Sequence, residues 1–141
     1  MQLEACLICD AASDYQGKLC VLGAFDTLAA PAAPVNQPHC AVVVRMRFQR
    51  SEEGKHRVRL MLIDEDGKPV GPRIDGESEI RVLPGRESVV ANLILNMNHL
   101  VLPAFGTYHF DLVVDGDLKA RLPLHVLQAT APSQSPAPAE E

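Results

Sequence analysis

Positive charge is scarce in this chain of 141 residues, where 13 lysines and arginines face 18 aspartates and glutamates for a formal charge of −5 at pH 7. That balance argues against the basic footprint of a nucleic-acid binder. Nor is the acidity a strong signal, since Glu140 and Glu141 simply end the chain. Long apolar runs are also missing. The uncharged stretch from Thr27 to Val44 contains Pro31, Pro34 and Pro38 together with Asn36 and Gln37, which is incompatible with a membrane helix. The first 20 residues have neither the basic start nor the continuous apolar segment of a secretory signal. Cysteines number four, Cys6, Cys9, Cys20 and Cys40, all within or beside apolar runs. A chain of this length can fold without disulfides, so the reducing cytoplasm is the expected compartment.

Catalytic signatures are equally sparse. No Gly-x-Ser-x-Gly, His-Glu-x-x-His, Gly-x-Gly-x-x-Gly or phosphate-binding Gly-x-x-x-x-Gly-Lys pattern occurs, and His39, His56, His99, His109 and His125 are scattered. The expectation is a protein that is not an enzyme and carries no cofactor.

What is present is a succession of short runs rich in Val, Leu and Ile, punctuated by Gly, Pro and Asp every dozen residues or so. No stretch keeps apolar residues at helical spacing between caps, so the fold class expected is all-β, a single antiparallel β-sandwich. Eight strands are predicted, near Gln2–Asp10, Lys18–Thr27, Ala41–Arg50, His56–Asp64, Glu77–Leu83, Val89–Met97, Thr107–Asp115 and Leu118–Leu127. Leu28 to Pro38 should be an ordered surface crossover. The pairs Asp66-Gly67, Asp75-Gly76 and Asp115-Gly116 tolerate the positive φ of tight turns. One domain over 1–127 is expected, followed by a disordered tail over 128–141 that offers no large apolar side chain for burial.

Alternation assigns faces. Tyr108, Phe110, Leu112 and Val114 share one parity and should line the core, while Leu118, Ala120, Leu122, Leu124 and Val126 share a face of the last strand. Pro123 has no amide hydrogen, which places that strand at an edge or puts a bulge in it.

The run Gly106-Thr107-Tyr108-His109-Phe110 resembles the corner strand of immunoglobulin-like domains, with Phe110 where antibody domains carry a cysteine and no tryptophan to complete their central cluster. This resemblance implies an immunoglobulin-like or related topology and no function. Over about Met1 to Leu127 the chain also resembles an uncharacterised family of small bacterial β proteins, a domain of unknown function. The residues that carry the likeness are Cys9-Asp10, Gly17-Lys18-Leu19, Leu22-Gly23-Ala24-Phe25-Asp26, Asp64-Glu65-Asp66-Gly67, Gly106-Thr107-Tyr108 and Pro123-Leu124-His125-Val126. It implies a bacterial source and a β-rich fold.

Four constellations bear on chemistry. Cys6 and Cys9 have Cys-x-x-Cys spacing, but residues three apart on a strand point to opposite faces, which favours apolar packing over zinc. Asp64, Asp66, Asp115 and Asp117 sit in two turns that would form an oxygen-rich calcium site if brought to one end of the sandwich. Asn92, Asn96 and Asn98 share a parity, either coating an exposed face or lining the site of a small-ligand or metal-dependent enzyme. The most specific pattern is doubled: Val44-Arg45-Met46-Arg47-Phe48 and His56-Arg57-Val58-Arg59-Leu60 alternate arginine with an apolar residue on consecutive strands. A hairpin in even register would put Arg45, Arg47, Arg57 and Arg59 on one solvent face and Val44, Met46, Phe48, Val58 and Leu60 inside. Glu77 and Glu79 on the next strand would turn that patch into an ion-pair ladder, whereas free arginines would suit an acidic protein, phosphate or nucleic-acid contact. The leading expectation is a non-enzymatic interaction module that uses a sandwich face or a sheet edge for a protein partner or a second copy of itself, with no membrane and no nucleic acid.

Overall fold

The computed structural model describes residues 1–71 and 73–130. Apolar alternation with frequent turns yields nine strands among them: β1 Gln2–Tyr15, β2 Lys18–Ala24, β3 Thr27–Ala30, β4 Val35–Gln49, β5 Gly54–Ile63, β6 Ile74–Ile80, β7 Ser88–Leu102, β8 Gly106–Val114 and β9 Asp117–Gln128. They form two sheets, β2-β1-β4-β7 and β3-β9-β8-β5-β6. The fold is all-β, a partly closed two-sheet sandwich.

The inner faces build the core that the alternation predicts. Val44, Met46, Phe48, Val58, Leu60, Tyr108, Phe110, Leu112 and Val114 are all buried, and they join Ile8, Leu102, Leu124 and Val126 in one cluster. Tyr108 turns its hydroxyl to the corner before β8, donating to the Ala104 carbonyl at 2.6 Å and accepting the Ala104 N–H at 3.1 Å. A buried phenol needs such a partner.

Several expectations are corrected. The crossover contains a short strand: β3 runs parallel to the end of β9, from Thr27 opposite His125 to Ala30 opposite Gln128. Asp75-Gly76 is no turn but part of β6, opposite Arg59 and Val58, because Gly76 adopts no positive φ. The Asp115-Gly116 turn is as expected, with φ of 52° and 85°. In β9 the register slips so that Leu112 faces Ala120 but Val113 faces Leu118, leaving Lys119 as a bulge. The bulge flips the parity, and Leu118 is exposed instead of buried. Pro123 lies just before the residues that β3 covers, where β9 is still an edge. At the C-terminus β9 continues through Gln128, and the Ala129 N–H bonds the Ala30 carbonyl at 2.8 Å. From 131 onward the expected tail lies outside the described residues.

β1 is the unexpected element. Its first half pairs with β4 as far as Cys9–Ala41, and its second half pairs with β2 from Cys9–Ala24 to Tyr15–Lys18. Gln16 and Gly17, with φ of 52° and 79°, close this hairpin. The Asn92 side chain of β7 donates to Asp14 Oδ2 and to the Gly17 carbonyl, both at 3.1 Å. Since β4 lies between β1 and β7, the hairpin is an arm folded back across the outer face of its own sheet. Ala12 and Leu19 from the arm pack there on Cys9, Ala41, Val43 and Ile94 in a second, smaller core.

Candidate functional site

The four predicted arginines do not form one patch. The connection at Arg50–Glu53 is not a hairpin within a sheet, because β4 and β5 belong to different sheets. With their apolar alternates facing each other across the core, Arg45 and Arg47 emerge on one outer surface of the sandwich and Arg57 and Arg59 on the other. The physical reason is burial: both strands have a strongly apolar face, and only facing sheets bury both.

Each pair meets carboxylates. Arg45 Nε donates to Glu4 Oε1 at 2.9 Å and Arg47 Nε to Glu4 Oε2 at 2.6 Å. Their remaining donors reach Asn92 Oδ1 at 3.1 Å and Ser88 Oγ at 2.9 Å. Glu4 sits where the β1–β4 register shifts between Leu3 and Ala5, and the bonds from Arg47 and Arg45 hold its carboxyl below the usual range. No sequence spacing announced Glu4 as the shared partner, because it comes from a strand 41 residues away. In the other sheet Arg57 lies opposite Glu77 and Arg59 opposite Asp75. Arg59 and Arg73 both donate to Asp75, at 2.9 Å each. The contact between β5 and β6 thus uses Asp75, which the expected ladder did not include, while Glu79 faces Lys55 and bonds Arg81 at 3.0 Å.

The other constellations disperse. Cys6 packs against the main core while Cys9 is buried in the second core on the opposite side of the sheet. Burial pushes the Cys6 thiol up to about 11, which makes it a packing residue at neutral pH. The acidic turns stand at opposite ends of their sheet, since Ile63, next to Asp64, faces His109 while Val58 faces Val114, next to Asp115. They cannot share a calcium ion. Asp64 Oδ1 instead accepts the N–H groups of Asp66 and Lys68 at 2.9 Å, and Asp115 accepts from the Arg57 N–H at 2.9 Å and from His56. Among the described residues no three His, Cys, Asp or Glu side chains are grouped to hold a metal ion, and no helix is long and apolar enough to cross a membrane.

One feature was missed in the sequence. Along the flank where β7 ends one sheet and β6 ends the other, no strand among the described residues closes the sandwich. A crevice of about 410 Å³ runs between them, walled by Leu60, Leu62, Ile74, Met97, Leu100 and Phe110, with Asn96, Asn98 and His99 at its mouth. Inward residues of β7 such as Leu93, Leu95 and Met97 are only half-buried, unlike their counterparts on β4. Asn96 and Asn98 are exposed, and Asn98 Oδ1 bonds His39 Nδ1 at 3.0 Å. The signal was the charge pattern: no Asp, Glu, Lys or Arg occurs from Ser88 to Phe110.

Comparison with known proteins places the chain in a family. Residues 4–127 match the family of unknown function DUF6941, and the chain belongs to it. No curated protein matches it. Among solved structures it is similar to part of a glycosyl hydrolase family 2 member from Bacteroides cellulosilyticus, at 15% identity and a TM-score of 0.35, covering 64% of this chain and 13% of that one. It is also similar to an immunoglobulin-like protein from Pseudomonas aeruginosa, at 12% identity and a TM-score of 0.31, covering 84% and 90% of the two chains.

Proposed function

For this member of a family of unknown function, we propose a non-enzymatic interaction module that contacts a protein partner along the open β7 flank. The observation that carries the reading is the combination of a long strand with, among the described residues, no partner on one side and an apolar crevice beside it. Unpaired backbone groups on a sheet edge are a template for another strand, and an adjacent crevice takes its alternate side chains. Among the described residues the lining is aliphatic and aromatic, with neutral amides and one histidine at the mouth, a surface suited to contact more than to acid–base chemistry. The arginine pairs are a weaker candidate, because Glu4 and Asp75 already occupy three of the four guanidinium groups.

The scaffold is read as immunoglobulin-like in topology. Support comes from the two-sheet strand order, from the parallel pairing of an early strand with the last one, and from the Tyr108 corner bond.

A photo-crosslinking side chain at Asn96, with one at Glu77 on the β6 edge as control, tests the contact in native cells. A discrete protein adduct from position 96 and none from 77 is the expected result. No adduct from 96, or the same adducts from both, would overturn it.

A further inference from the structure

We infer that the partner on the β7 edge is a second copy of this chain, paired antiparallel through β7 to make a continuous eight-stranded sheet. The inference rests on the interaction reading above and names the occupant of that site.

Every other edge among the described residues carries a deterrent to self-pairing. β6 holds Asp75, Glu77 and Glu79 within seven residues, so two copies in antiparallel register would oppose carboxylates. β3 has four residues and runs into Pro31. β2 has seven, begins with Lys18 and carries a left-handed φ of +69° at Gly23. Short strands, charges and prolines are devices that keep edges apart.

β7 has none of these over its first eleven residues. Ser88 to Asn98 is extended, free of proline and free of charge; the left-handed φ of 55° at His99 ends the flat segment. Over this segment its other side is held by β4 without a break, from Gln49–Ser88 to His39–Asn98, so this edge is the outward backbone of a rigid ladder. A neutral edge suits an identical neutral edge, since two-fold antiparallel pairing brings no like charges together. Such pairing in even register also preserves faces. The half-buried Val89, Ala91, Leu93, Leu95 and Met97 of both copies would lie on the inner side and cover one another. The asparagines would remain outside. The interface is isologous, so any change on it is felt twice.

Sedimentation of the full chain over a dilution series, with Asn96→Lys, Asn96→Asp and the control Glu77→Lys, tests this. Circular dichroism confirms that each variant folds. The expected result is a wild-type dimer that dissociates on dilution, with the dimer weakened about tenfold or more by either change at Asn96 and unchanged in the control. Hydrogen exchange of the β7 amides should slow as concentration rises. A wild type that stays monomeric at every concentration overturns self-pairing, and so does a dimer indifferent to both Asn96 variants. A crosslink from Asn96 to a different protein would still support the edge as a contact site, which separates failure of this inference from failure of the broader reading.

Discussion

Tyr108 and His56 show how single polar groups secure this sandwich. The Tyr108 hydroxyl satisfies both backbone groups of Ala104, so Tyr108→Phe leaves two partners unmet at the corner and should cost about 1–3 kcal/mol in urea unfolding. His56 packs on Phe48 with ring centroids 4.6 Å apart. Its Nδ1 meets Asp115 Oδ2 at 2.5 Å and its Nε2 meets the Glu52 carbonyl at 2.6 Å. Both neighbours are acceptors, so both contacts are hydrogen bonds together only when the ring is protonated. Burial pulls its pKa down, but the bonds to Asp115 and the Glu52 carbonyl outweigh this and hold it above the ordinary value. A raised folded-state pKa contributes stability that is fully present below the unfolded value, about 6.5, and is lost as pH rises through the folded one. Unfolding free energy should therefore fall as pH rises above about 6.5, and His56→Gln should flatten that dependence. Neither pairing was legible in the sequence beyond the corner motif around Tyr108, since His56 and Asp115 stand 59 residues apart.

Among the elements, the β1–β2 arm carries a left-handed glycine within its second strand as well as at its turn. Gly23 has a φ of +69°, and a Cβ there would lie 2.6 Å from Asp10 Oδ2. The carboxylate can move aside, but the left-handed backbone is strained for any L-residue. Gly23→Ala should cost about 1–2 kcal/mol and act locally. Hydrogen exchange would show faster exchange over β2 and the far half of β1, with β4 and β8 amides unchanged. The sequence marked Gly17-Lys18 and Leu22-Gly23 through family likeness, yet gave no sign that the hairpin folds back over its own sheet. That placement follows from Asn92 and Ile94, which lie far along the chain.

For the whole molecule, the decisive fact is that consecutive strands β4 and β5 part into different sheets. The two arginine pairs are thus separated by the thickness of the sandwich and share no partner. Replacing Arg45 and Arg47 by serine should add to replacing Arg57 and Arg59 within about 0.5 kcal/mol in denaturant unfolding. Strong coupling between the pairs would contradict the two-sheet separation.

The sequence by itself determined the all-β class, most strand positions and the inward residues of β4, β5 and β8. Period-2 alternation is a local property of the pleat, and apolar parity has one stable destination. Only the tertiary structure decided which sheet each strand joins, that Glu4 bridges Arg45 and Arg47, that the acidic turns lie at opposite ends and that β7 ends its sheet among the described residues. Those outcomes depend on which strands meet across tens of residues. Sheet assignment is set by burying every apolar face at once, a condition that no single stretch of sequence expresses.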